Sequence, residues 1–241
     1  MKKFLIDDSN SAEYVRKIGS FIKRRVYAAK AAGVVIGMSG GIDCCVAAAL
    51  AHNAEVKVLL HMLPDGKAPH KDAFIFADMF KMEYKHIDIC PICAEMEKDS
   101  GFTPYAHTNI RPRVRMTILY AAAQTRNLLV VGTGNLSERT VGYFTKWGDG
   151  AGDMFPLAML TKREVYALAR ALKIPQSIID KKPSAELSEG QTDEADFGFS
   201  YDNLDDYILY GTSSDASVDK MIAARIKGAG HKVKPVPVFR K

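Results

Sequence analysis

Residues 34–50, VVIGMSGGIDCCVAAAL, constrain the fold of this chain more than any other stretch. Three branched apolar residues, Val34, Val35 and Ile36, stop at Gly37. Met38, Ser39, Gly40 and Gly41 follow, then Ile42, Asp43 and Cys44, and then an alanine-rich run of high helix propensity. The order predicts strand, tight turn, helix. Glycine lets backbone N–H groups come close to a ligand and permits positive φ. The start of the helix adds unpaired N–H groups and the positive end of its dipole. Two readings fit. Residues 37–44 are a phosphate seat with Asp43 placed for a divalent cation, or Gly40 and Gly41 simply make a tight turn. The stretch has neither the Lys-Ser/Thr ending of GxxxxGK[ST] nor the spacing of GxGxxG.

The 241 residues fit one α/β domain or a domain with a small appendage, and no apolar run reaches the length of a membrane span. The N-terminus, MKKFLIDDSN, has no long apolar core and no cleavage site, so a cytoplasmic protein is expected. A net charge of +5 is mild and suits anionic small substrates. The basic tail, HKVKPVPVFRK, has one aromatic and no stacking ladder, so no nucleic-acid partner is expected. Of Cys44, Cys45, Cys90 and Cys93, the last two form a CxxC. No second pair exists to complete a zinc site, and reduced thiols are preferred over redox chemistry.

Along the chain, residues 10–32 keep helical apolar spacing, with Asn10 and Glu13 as a capping box and Gly33 as the stop. Strands are expected at 56–62, 84–89 and 128–131, and helices at 71–82 and 109–126. This alternation predicts a doubly wound parallel sheet flanked by helices, with ligands at the carboxyl ends of its strands. Arg111, Arg113 and Arg115 fall in the expected first turns of the 109–126 helix, where they oppose its dipole; they serve an anion or form a solvated face. The 128–131 run feeds a second small-residue turn, Gly132 to Glu138. In a parallel sheet both turns open on one edge, so Thr133 and Glu138 face the same ligand as Asp43. Residues 141–153 carry four glycines, aromatics, Lys146 and two aspartates, the makings of a binding loop. Thr161 and Glu164 form a second capping box, with Lys162 beside N–H groups that favour an anion. Helices are expected at 201–210 and 217–227, the latter broken by Gly228 and Gly230.

SGGID resembles the SGGxDS loop of the ATP pyrophosphatases, with Cys44 where that family has serine. The wider set, NIRPRVRM, VVGTGNLSE, GYFTKWGDGAGDMFPL, LTKREV, KKPSAEL, QTDEADFGFSYDNLDDYI and the terminal HK, is similar to the NAD synthetases, in the same order.

That resemblance implies an adenine nucleotide alpha hydrolase-like fold in a single domain over 1–241. Its ATP-binding core lies at about 30–180, a mobile segment at about 181–200, and C-terminal helices with a basic tail at 201–241. It implies amidation of deamido-NAD by ammonia, with ATP and magnesium, in a homodimer. ATP contacts fall on Gly37, Met38, Ser39, Gly40, Gly41, Ile42, Asp43, Cys44, Thr133, Lys162 and Ser184. Magnesium falls on Asp43 and Glu138. Deamido-NAD falls on Arg113, Lys146, Asp153, His231 and Lys232. No covalent nucleophile is needed, and Cys44 and Cys45 read as packing residues. Another ATP pyrophosphatase acting on a different carboxylate or a tRNA base, and a non-catalytic nucleotide-binding module, are the alternatives.

Overall fold

The computed structural model describes residues 5–66, 71–98, 101–184 and 192–239. Helix α1 (Ser11–Ala28) leads into strand β1 (Gly33–Gly37), then α2 (Ile42–Asn53), β2 (Val58–Met62), α3 (Lys71–Met79), β3 (Glu83–His86), α4 (Cys90–Glu97), α5 (Pro104–Arg126) and β4 (Leu128–Val130). Six further helices follow: α6 (Leu136–Val141), α7 (Lys162–Ala171), α8 (Gln176–Ile179), α9 (Asp193–Phe197), α10 (Tyr201–Tyr210) and α11 (Ala216–Val233).

The strands pair in the order β3-β2-β1-β4, all parallel. The chain winds outward from β1 to β3 and then jumps to β4 on the other side. The switch point of this doubly wound sheet therefore lies between β1 and β4, where such sheets open a crevice. Side chains alternate across β1. Val34 and Ile36 join the core built with α1, α2, α3 and α7. Val35 packs with Leu59, Val130 and, from α5, Leu119 and Ala123. Helix α2 is buried along nearly its whole length, which explains its alanines: they let neighbours approach from every side. A separate cluster of Phe197, Phe199, Tyr201, Leu204 and Ile222 packs on Val141 and fixes α9, α10 and α11 against α6. Among the described residues no helix is long and apolar enough to cross a membrane.

Several local expectations need correction. Asn10 does not cap α1; its side chain takes the Asp7 N–H and donates to the Leu5 carbonyl. Gly33 opens β1 rather than closing α1, and a Cβ there would lie 2.4 Å from the Lys57 carbonyl oxygen. Helix α5 starts at Pro104, because Thr103 Oγ1 accepts the Ala106 N–H and proline suits a first helical position. Pro112 is thus inside the helix, and the arginines lie beyond its first turns. Arg111 pairs with Asp65 and Glu97, and Arg115 Nε donates to the Leu63 carbonyl, so neither is a free anion seat. Gly228 and Gly230 leave α11 unbroken to Val233; Ala229 between them is buried against Gly142. Cys93 is buried and Cys90 half-buried, both as free thiols.

Candidate active site

Gly40 has φ +85°, and a Cβ there would lie 2.9 Å from the Ala73 nitrogen, so the turn after β1 accepts only glycine. Met38 N–H bonds the His61 carbonyl at 2.8 Å and ties the turn to β2. Gly41 caps α2 without a side chain, so the first-turn N–H groups from Ile42 onward meet no capping side chain there and face an incoming anion. Ser39 is exposed beside them, and its Oγ accepts the Gly41 N–H at 3.2 Å. Cys44 turns inward: its thiol donates to the Gly41 carbonyl at 3.0 Å and lies 3.6 Å from Met38 Sδ. Its side chain is buried, with the Ser39 hydroxyl 3.4 Å from the sulfur.

The turn after β4 reaches the same edge. Asn135 and Glu138 form a reciprocal capping box on α6. Asn135 Nδ2 also donates to Asp43 Oδ1 at 2.9 Å, which joins the two turns directly. Lys162, at the start of α7, completes the group: its Nζ lies 2.6 Å from Asp43 Oδ2 and 3.3 Å from Glu138 Oε1. The Thr161–Glu164 capping box forms as expected, and Glu164 also accepts the Ile6 N–H at 3.0 Å.

Electrostatics follow from this crowding. Burial pulls the Lys162 ammonium toward release, but Asp43 and Glu138 outweigh it and its pKa is raised. Glu138 is pushed up to about 7, first by burial and then by Asp43, although Lys162 pulls the other way. Tyr201 Oη donates to Asp193 Oδ2 at 2.8 Å and stands 3.3 Å from Glu138 Oε1, with its ring 4.9 Å from Lys162 Nζ. Two carboxylates therefore contact one ammonium, and a third, Asp193, is joined to the group through Tyr201.

The N–H groups at the start of α7 are not open to an outside anion, contrary to expectation. Lys162 N–H donates to Ser137 Oγ at 3.0 Å and Arg163 N–H to Asp205 Oδ2 at 2.9 Å. The Lys162 side chain is itself buried, with its Nζ held by Asp43 and Glu138.

Thr133 and Ser184 are both half-buried, Thr133 in the turn after β4 and Ser184 just before residues 185–191, which lie outside the described residues together with that part of the expected mobile segment. A second group forms around the 141–153 loop. Arg113 faces the Lys146 carbonyl at 3.4 Å, Lys146 Nζ donates to the His231 carbonyl at 2.9 Å, and Lys232 Nζ donates to the Gly142 and Phe144 carbonyls at 2.8 Å each. Asp153 stands apart from these; its Oδ2 accepts the Val130 N–H at 2.7 Å.

The family model described as NAD synthase matches residues 14–235, which takes in both turns, Lys162 and the His231–Lys232 pair. The chain belongs to the NAD synthase family. An NH(3)-dependent NAD(+) synthetase from Carboxydothermus hydrogenoformans is 41% identical over 219 residues, covering 87% of this chain and 90% of the relative. An NMN synthetase structure from Francisella tularensis aligns with TM-score 0.91 and 37% identity, over 96% of this chain and 99% of that one. An NH3-dependent NAD synthetase from Campylobacter jejuni aligns with TM-score 0.81 and 28% identity, over 95% and 99%.

For a NAD synthase, sequence reading found the two turns and Lys162 but passed over residues that hold them. Asn135 had a visible signal, the Asn-x-x-Glu spacing of a capping box. Ser137 and Asp205 had none, because they meet across 68 residues of sequence. Tyr201 and Asp193 are eight residues apart, but Glu138, the site residue beside Tyr201, is 63 residues away.

Proposed function

We propose that this chain amidates deamido-NAD with ammonia, consuming ATP and releasing AMP, pyrophosphate and NAD. The observation that carries the reading is the convergence of Asp43, Glu138 and Lys162 beside the uncapped start of α2. A carboxylate does not react with ammonia at neutral pH, because its oxygen is a poor leaving group. Its oxygen attacks the α-phosphorus of ATP, the α–β bond breaks, and pyrophosphate leaves. Ammonia then attacks the acyl carbon, AMP departs and the surplus proton goes to solvent. Charge builds on the departing pyrophosphate, where the backbone of residues 37–44 and the Lys162 ammonium stabilise it. Thr133 and Ser184 contact the nucleotide.

Asp43 and Glu138 fit magnesium in their chemistry. They are hard carboxylate donors from separate elements, both bonded to Lys162 Nζ at one point of the sheet edge. Bound there, the ion neutralises phosphate charge and orients the triphosphate. Arg113, Lys146, Asp153, His231 and Lys232 hold the acid substrate, a role supported for four of them by their grouping around the 141–153 loop. A homodimer accords with the exposed apolar Phe102 and Tyr105 near the start of α5, and free thiols accord with a reducing cytoplasm.

The fit to an NMN synthetase favours one second reading, in which the acid is the nicotinate mononucleotide. The test is turnover of the purified chain with ATP, magnesium, ammonium chloride and each acid in turn. AMP and NAD from the dinucleotide, with kcat/KM above that of the mononucleotide, are expected. The reverse preference moves the substrate to the mononucleotide; turnover of neither overturns the proposal. Efficient use of glutamine in place of ammonium would overturn the assignment of the nitrogen source.

A further inference from the structure

We propose that Asp205 is a positioning residue for the ATP–magnesium site, so that helix α10 sets where Glu138 and Lys162 stand. The inference rests on the activity proposed above and adds a residue to it.

Asp205 lies on α10, which packs on both α6 and α7, and is 1% exposed. Its Oδ1 accepts the Ser137 hydroxyl, and its Oδ2 accepts the Arg163 N–H at 2.9 Å. Ser137 Oγ in turn accepts the Lys162 N–H at 3.0 Å. The strap therefore runs from Asp205 to Ser137 to Lys162 and back through Arg163 to Asp205. Each residue it grips is next to, or is, a charged member of the site: Ser137 precedes Glu138, and Arg163 follows Lys162. The Arg163 guanidinium adds a contact of 3.6 Å to Asp205 and one of 2.8 Å to Asp206.

Ordinary capping does not account for this. Helix α7 already has a complete local capping box from Thr161 and Glu164, and α6 has one from Asn135 and Glu138. Asp205 reaches in from 42 residues beyond Arg163 and 68 beyond Ser137. What it adds is the relation between the two helix starts. Helix α6 has six residues, so its first turn has little length to hold it in place. A carboxylate that fixes both first turns fixes the gap in which Glu138 and Lys162 oppose each other. Catalytic groups tolerate little displacement: about 1 Å costs on the order of 100-fold in rate. The strap also makes the C-terminal layer, which carries His231 and Lys232, a working part of the nucleotide site rather than a cover.

The experiment compares Asp205→Asn, Ser137→Ala and the double variant with the unaltered chain. Three quantities are read: affinity for ATP with magnesium by calorimetry, the magnesium concentration for half-maximal rate, and kcat against KM for the acid. The expected result for Asp205→Asn is a kcat at least tenfold lower, half-saturating magnesium raised several-fold and weaker ATP–magnesium binding. KM for the acid stays within twofold. Ser137→Ala moves the same quantities, and the double variant is no worse than Asp205→Asn alone. Unchanged ATP–magnesium affinity and magnesium dependence in a folded Asp205→Asn variant overturns the proposal, as does a loss of thermal stability with no change in either. Because ATP binding is read directly, a chain that binds ATP but amidates neither acid refutes the proposed function while still deciding the role of Asp205.

Discussion

Lys162 Nζ lies 2.6 Å from Asp43 Oδ2, across 119 residues of sequence. The contact joins the starts of α7 and α2 at the edge where β1 and β4 both end. The lysine side chain is 3% exposed, against 18% for Asp43 and 16% for Glu138. A ligand entering the crevice therefore meets the carboxylates first, with the ammonium behind them.

Lys162→Met leaves those carboxylates facing each other without a cation. Removing one partner from a buried pair costs about 3–5 kcal/mol, and partial exposure of the carboxylates brings the expected loss to about 2–3 kcal/mol. Urea denaturation measures it. Added magnesium should restore part of the loss in the variant and add less to the unaltered chain. Amidation should fall by roughly 100-fold or more. A variant with full stability and activity would show that the pair is incidental.

Gly142 has φ +69°, and a Cβ there would lie 2.5 Å from the Ala229 Cβ and 3.5 Å from Lys232 Cδ. Gly142→Ala must push α11 away from α6. A stability loss of about 1–3 kcal/mol is expected from overpacking. Because Lys232 bonds the Gly142 and Phe144 carbonyls, KM for the acid should rise several-fold while KM for ATP holds. Equal changes in both would argue against a separate acid-binding role for this corner.

Asp88 Oδ1 accepts the Cys90 and Gly66 N–H groups, each at 2.9 Å, and these bonds hold its carboxyl below the usual carboxylate range. The folded state thus takes up this proton less readily than the unfolded chain. The stabilisation is complete above the unfolded pKa, near 4, and drains away as pH falls through the lower folded value. Asp88→Asn should melt below the unaltered chain at pH about 6, with the gap closing toward pH about 2. A gap that does not change with pH would mean the bonds do not depend on the charge.

Much of this arrangement is legible in the sequence, because it is local. The apolar run 34–36 followed by Ser39, Gly40 and Gly41 carries its own strand and turn, and parallel pairing of β1 with β4 then brings residues 132–138 to the same edge. Thr161 and Glu164 announce the start of α7 by spacing alone. The failures are where tertiary contacts override composition. Residues 104–108 precede the helix expected at 109–126, yet Thr103 caps them into it, which moves three arginines out of the first turns. Two glycines look like a break in α11, yet the packing of Ala229 on Gly142 holds the helix together. Nothing in the expected 201–210 helix singled out Asp205, because its bonds to Ser137 and Arg163 are made only in the folded chain.

In the proposed reaction the carboxylate oxygen of the substrate becomes bonded to the α-phosphorus of ATP. Its most direct measurement is a turnover with the acid labelled in its carboxylate by heavy oxygen, followed by mass analysis of the nucleotide product. One labelled oxygen in each AMP formed is the expected result. Unlabelled AMP, or ADP as the nucleotide product, would contradict it.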